Sequence, residues 1–204
     1  MQTNPEKDQD RVFDTVDHFD RFGDVMFQQQ RTIYHRLADI IDHDSVLEAG
    51  CGNGVGTAIL SRQHSVIGTD KLQRNVDFAK CLYQWIPFMT WDIGERPYGS
   101  QFAAVVAVEV FEHVANPLVV LQNLIKSAVK EVWISTPNGA NKSRPPDNPY
   151  HVCEYTPLEM DELVTEAVSL MGLKGRLTIH HWNTWATLSV NTDINPLVYR
   201  IKLG

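Results

Sequence analysis

Four glycines at alternate positions, Gly50, Gly52, Gly54 and Gly56, follow directly on the short apolar run Val46-Leu47-Glu48-Ala49. Without a Cβ the backbone bends sharply there and can approach a bound ligand, and open α/β sheets carry such a turn at the carboxyl edge of a strand. The surrounding pattern repeats: a helix over 55–61, a strand over 65–69, a helix over 75–84, strands over 87–91 and 102–108, a helix over 117–129 and a strand over 131–135. Nearly all-apolar strands alternating with helices predict an α/β fold, a mostly parallel sheet with helices on both faces. One core suffices for 204 residues, and an apolar content of 43% excludes disorder for most of the chain.

Upstream, Val12, Phe13, Val16 and Phe19, then Val25, Phe27, Ile33, Tyr34, Leu37, Ile40 and Ile41, recur at helical spacing on either side of Phe22-Gly23-Asp24. Residues 1–41 therefore read as a polar arm and a helical lid, and residues 42–204 as the sheet domain. Two later helices have clear starts. Asn116-Pro117 puts an N-cap before a proline at the first helical position, and Thr156-Pro157-Leu158-Glu159 is a capping box. Residues 137–155, ahead of that box, are rich in Asn and Pro and longer than most connections, which makes them a candidate functional loop. Segments 177–182, 184–190 and 197–203 read as closing antiparallel strands.

Eighteen Lys and Arg against 25 Asp and Glu leave a net charge of −7. Wide contact with a nucleic-acid backbone needs many cations, so nucleic acid is disfavoured and a small acceptor favoured. Cys51, Cys81 and Cys153 are too few and too scattered for a disulfide framework and form no C-x-x-C pair. The polar start and the lack of any apolar run near the ~20 residues of a membrane span lead to the expectation of a cytoplasmic protein.

The spacing of the turn discriminates between ligands. A dinucleotide fingerprint wants a small third residue where this chain has Val55, so NAD or FAD fits poorly. Glu48-Ala-Gly-Cys-Gly-Asn-Gly instead resembles motif I of the class I S-adenosylmethionine (SAM) dependent methyltransferases. Further motifs follow in order: Asp70-Lys71 ends the second strand, Trp91-Asp92-Ile93 the third, and Glu109-Val-Phe-Glu112-His113 the fourth. The last looks like the E-x-x-E-H turn of relatives that include ubiquinone-biosynthesis O-methyltransferases and small-RNA 3′-terminal 2′-O-methyltransferases. The resemblance spans residues 45–160. It implies a Rossmann-like fold and a SAM site made from Glu48, Gly50, Cys51, Gly52, Asp70, Lys71, Asp92, Ile93 and Glu109. In that site Asp70, with two acceptor oxygens, takes both ribose hydroxyls, Asp92 and Ile93 hold the adenine, and Cys51 is a small neighbour rather than a nucleophile.

A sulfonium methyl is already activated, so the protein mainly aligns the acceptor and, for a hydroxyl, helps remove its proton. The [DN]-P-P-[YF] signature of nucleic-acid amino-methyltransferases is missing after the fourth strand. Asp147-Asn148-Pro149-Tyr150 is similar but follows the fifth strand and is set aside as a decoy, and no cysteine follows a proline as cytosine C5 enzymes require. Oxygen is the favoured acceptor atom. Ser135-Thr-Pro-Asn138 and His151-Val-Cys-Glu-Tyr-Thr-Pro157 are similar to the segments that deliver a last histidine in these relatives. The resemblance thereby implies a divalent cation, Mg²⁺ or another, at Glu109, Glu112, His113 and His151, with Glu112, His113 and His151 as the catalytic set. Three readings of this set stay open: metal ligands, a metal-free base, and a structural role.

The expected function is O-methylation of a small hydroxylated metabolite, sugar or quinone-like ring. An RNA 2′-O-methyltransferase and a catalytically silent partner subunit of the same fold are the alternatives. His180 and His181 beside Trp182 and Trp185 alternate on a strand, so at most one faces a cleft, and a structural role is expected for the pair.

Overall fold

The computed structural model describes residues 25–99, 102–140, 146–173, 177–181 and 196–203, the side chains of 25–27 and 177–181 excepted. The helix expected over residues 12–19 and the strand expected over 184–190 lie outside these residues.

The strands are β1 (Ser45–Ala49), β2 (Ser65–Asp70), β3 (Phe88–Thr90), β4 (Phe102–Val108), β5 (Ala128–Thr136), β6 (Leu177–His181) and β7 (Leu197–Leu203). They form one sheet in the order β3-β2-β1-β4-β5-β7-β6. β1 to β5 are mutually parallel, and β7 runs antiparallel to both β5 and β6. The helices are α1 (Val25–Ile40), α2 (Val55–Leu60), α3 (Gln73–Leu82), α4 (Pro117–Ser127) and α5 (Pro157–Leu170), with a single 3₁₀ turn at Phe111–His113. Among the described residues no helix is long and apolar enough to cross a membrane.

Alternation along the central strands divides the core between two faces. Leu47, Val105, Ala107, Val132 and Ile134 meet Leu121 and Leu124 of α4 and Met160 and Val164 of α5. Val46, Ala104, Val106 and Trp133 meet Ile33, Tyr34 and Leu37 of α1 and Ile59 and Leu60 of α2. The boundary expected at residue 41 is therefore not a break in packing, because the C-terminal half of α1 covers one face of the sheet. A third, smaller cluster, with Val76, Ala79, Ile86 and Phe88, lies between α3 and β3.

Local signals explain most element ends. Asn116 Oδ1 accepts from Val119 N at 3.3 Å and starts α4, and Thr156 with Glu159 completes the reciprocal capping box of α5. β5 begins three residues earlier than expected, because Ala128 pairs with Phe102 ahead of a register shift. Across β5 and β7, Trp133 sits opposite Arg200. The Arg200 guanidinium stacks over the Trp133 ring and binds Glu131 Oε2 through Nε at 2.7 Å and Nη2 at 2.6 Å.

Candidate active site

Parallel pairing sends the carboxyl ends of β1 to β5 to one edge of the sheet, and the loops leaving that edge carry nearly every residue singled out from the sequence. Gly50, Gly52 and Gly54 adopt φ of 78°, 53° and 83°, the left-handed region that an L side chain avoids. The N–H groups of Gly50 and Cys51 both donate to Thr69 O, at 2.7 and 2.8 Å, which folds the turn back over β2. A Cβ built on Gly52 would meet nothing within 4 Å, so the space over the turn is open to a ligand. Cys51 packs into the third cluster, and burial, with Glu48 and Asp70 nearby, pushes its thiol far up, as befits a packing residue rather than a nucleophile.

Glu48 is 0% exposed. Its Oε1 accepts from the Tyr34 hydroxyl and its Oε2 from the Thr57 hydroxyl, both at 2.5 Å. Burial raises the carboxyl to about 7 against the opposing effect of those two hydrogen bonds. Glu48 thereby ties α1 and α2 to the end of β1.

Asp70 Oδ1 accepts from Leu72 N at 2.9 Å and Asn75 Nδ2 at 3.1 Å, and Oδ2 accepts from Gly52 N at 3.0 Å. Three of about four lone-pair directions are taken within the chain, which leaves one open to a further donor. Lys71 beside it is exposed. Asp92 Oδ1 accepts from Gly94 N at 2.7 Å at the head of a turn. Ile93 packs in the main core, and its carbonyl accepts from Asn123 Nδ2 at 2.7 Å.

Glu109, at φ 55°, is the one non-glycine residue with positive φ among those described. The Ser135 hydroxyl donates to its Oε1 at 2.7 Å. It lines a small pocket with Gln29, Gln30, Ile33 and Pro196. Burial first, then the Glu154 charge, raises its carboxyl to about 7 against the Ser135 hydrogen bond.

Beyond Glu109 the ligand-type atoms of Glu112, His113 and His151 lie within 4.8 Å of one another. Glu109, the fourth residue of the expected set, is not in this group, and the Ser135 hydroxyl holds its carboxylate. Glu112 is 1% exposed, its Oε2 accepts from the Thr136 hydroxyl at 3.1 Å, and its Oε1 lies 3.5 Å from His113 Nε2. The loop over 146–155 is stitched on through the backbone, with Val152 N donating to Glu112 O at 2.6 Å and Gly139 N to Tyr155 O at 2.8 Å. A Cβ at Gly139 would come within 2.3 Å of Glu154 O, so only glycine lets the two segments pass. The rings of His113 and His151 meet edge-on at 4.8 Å.

Each imidazole has its Nδ1 engaged by an oxygen: Tyr150 O at 3.0 Å for His113 and Glu154 Oε1 at 2.6 Å for His151. Second partners of this kind orient histidine ligands in metal sites, and two imidazoles with one carboxylate suit a divalent cation. The donor set therefore fits a cation at three of the four expected positions. Glu154, Asn148 and Tyr150 were missed from the sequence, the last two because their segment had been set aside as a decoy. The three-residue spacing of His151 and Glu154 was the available signal. His180 and His181 stand opposite Arg200 and Tyr199 on β6, the outermost strand, which β7 separates from β5.

A family model described as a methyltransferase domain matches residues 22–167. The chain is 26% identical over 184 residues to a ubiquinone biosynthesis O-methyltransferase of Rickettsia conorii, covering 79% of this chain and 63% of that protein. It is 29% identical over 160 residues to a probable S-adenosylmethionine-dependent methyltransferase of Mycobacterium tuberculosis, covering 72% and 58%. It thus spans about three fifths of the length of the curated relatives it matches. Among solved structures, the methyltransferase domain of bacterial CtHen1-C aligns with a TM-score of 0.68 at 18% identity, over 87% of this chain and 98% of that one. Magnesium protoporphyrin IX methyltransferase from Synechocystis PCC 6803, with bound SAH, aligns with a TM-score of 0.66 at 14% identity, over 88% and 84%.

Proposed function

The chain belongs to the methyltransferase-domain family, and from that premise we propose that it transfers the methyl group of SAM to a hydroxyl oxygen of a small acceptor bearing two adjacent hydroxyls. The observation that carries this reading is the convergence of Glu112, His113 and His151 on the same sheet edge as the glycine turn. SAM supplies an activated sulfonium methyl when bound. Toward it this chain offers the open space over Gly52, the remaining lone pair of Asp70 and the Asp92 turn.

Glu112, His113 and His151 would hold a divalent cation, whose charge lowers the pKa of bound hydroxyls. The chain's own part is to orient the acceptor and receive its proton. Glu112 Oε1 and His113 Nε2 stand 3.5 Å apart, so one hydroxyl can meet both. Thr136 and Tyr150 O fix these two side chains from behind, which favours a single acceptor pose. The net charge of −7 supports a compact acceptor over a polymer held by its phosphates. An exposed free Cys81 suits the reducing cytoplasm as the place of action.

Labelled SAM incubated with catechols, sugar nucleotides and short RNA at about 0.15 M salt tests the reading. Methylation of catechols or sugar diols is the expected result. Methylation confined to RNA ends would keep the diol chemistry and overturn the small acceptor. Methylation of an amine or a ring carbon would overturn both, and SAM binding without turnover on any acceptor would favour a silent partner subunit.

A further inference from the structure

Behind His151 lies a short hydrogen-bonded chain whose polarity follows from the backbone. Tyr150 N donates to Asn148 Oδ1 at 3.0 Å, which fixes the orientation of that amide. The Asn148 atom 3.0 Å from His151 Nε2 is therefore Nδ2, which can only donate. His151 Nε2 must accept, so the proton of the neutral ring sits on Nδ1, where Glu154 Oε1 receives it at 2.6 Å. The side chains of His151 and Glu154 are 6% and 9% exposed, so water competes weakly for either bond.

We propose that Glu154 and Asn148 are positioning residues for His151: Glu154, accepting from Nδ1, and Asn148, donating to Nε2, together hold the ring as its Nδ1–H tautomer, and Asn148 gives up the Nε2 lone pair when the acceptor hydroxyl or a cation takes it. The inference deepens the proposed function and rests on the reading that this cluster is the acceptor site. It explains the two otherwise unassigned polar residues of the loop over 146–155. It also accounts for Gly139, whose missing side chain lets the backbone at Glu154 come close enough to place its carboxylate on His151. In the reaction neither residue touches the methyl group; each acts through the imidazole.

Long-range ¹H–¹⁵N correlation spectra of the whole chain labelled in histidine, with no metal added, test the tautomer directly. The wild type is expected to show His151 with a protonated Nδ1 and a bare, accepting Nε2. Glu154→Ala removes the charge-assisted bond and leaves only the weaker neutral bond from Asn148, so it is expected to give a mixture of tautomers, while Glu154→Gln, whose amide oxygen can still accept from Nδ1, restores the single form. Asn148→Ala should keep the tautomer and shift only the Nε2 resonance. On the acceptor found above, Glu154→Ala should lower kcat by roughly 10- to 100-fold with SAH affinity unchanged, and Glu154→Gln should recover most of it. A wild-type His151 protonated at Nε2, or spectra of Glu154→Ala identical to wild type, would overturn the proposal. The spectra decide it without turnover, so a chain inactive on every acceptor would count against the proposed function alone.

Discussion

The Tyr34 hydroxyl of α1 donates to Glu48 Oε1 across 2.5 Å, joining the helix that covers the sheet to the strand that ends in the glycine turn. Thr57 of α2 holds the other oxygen, so one buried carboxyl sets two helices against β1. Removing a partner from a buried polar group costs about 1–3 kcal/mol. Tyr34→Phe should destabilise the chain by that amount in urea denaturation, and an unchanged midpoint would remove Glu48 from the list of groups that hold the fold.

The same carboxyl makes stability depend on pH. Burial raises Glu48 from 4.5 to about 7, so the folded chain keeps a proton that the unfolded chain has released. The stability this provides is complete below the unfolded value and is lost as pH rises through the folded one. Between pH 4.5 and about 7 the wild type should lose stability relative to Glu48→Gln, by roughly 3 kcal/mol at most. Parallel pH profiles for the two proteins would contradict the assignment.

Gly52 separates folding from binding. A Cβ there meets nothing, but φ of 53° is unfavourable for alanine, so Gly52→Ala should cost only about 1–2 kcal/mol of stability. The added methyl group occupies the space assigned to the cofactor, so calorimetry should find SAH affinity reduced at least tenfold. Retained affinity would place the cofactor elsewhere.

Glu131 is almost fully buried and relies on Arg200 for its charge partner. Arg200→Met fills a similar volume yet leaves the carboxylate uncompensated, a loss of about 3–5 kcal/mol. Glu131→Gln in the Arg200→Met background should recover part of it. A double variant no better than the single one would show that lost packing on Trp133 is the larger effect.

Metal removal distinguishes the readings of the cluster. If a cation works there, EDTA abolishes methyl transfer, Mg²⁺ or Mn²⁺ restores it, and Glu112→Ala, His113→Ala and His151→Ala fail alike because each removes a ligand. If a metal-free base works instead, EDTA is harmless and one histidine dominates, at about 10²- to 10⁴-fold in rate. Full activity in all three variants under EDTA would leave the cluster a structural role.

The linear pattern carried the sheet and its helices because that information is local. Apolar runs, the alternate glycines and the caps at Asn116 and Thr156 each act on neighbouring residues, and the resulting strands appear where expected within a few positions. Types of chemistry were legible as well: three of the four expected ligands, Glu112, His113 and His151, converge. Direction was not legible. Whether a carboxylate faces a ligand or the core depends on the residues that reach it from elsewhere in the fold. Tyr34 and Thr57 turn Glu48 into a brace, Ser135 draws Glu109 into its pocket, and the core absorbs Ile93. Glu154 becomes His151's partner only when the bond from Val152 N to Glu112 O docks the loop beside the turn at Phe111–His113. Residue type and strand order are thus properties of the chain itself. The aim of each buried polar group belongs to the tertiary structure, because such a group must take whatever hydrogen-bond partner the packed fold brings within about 3 Å.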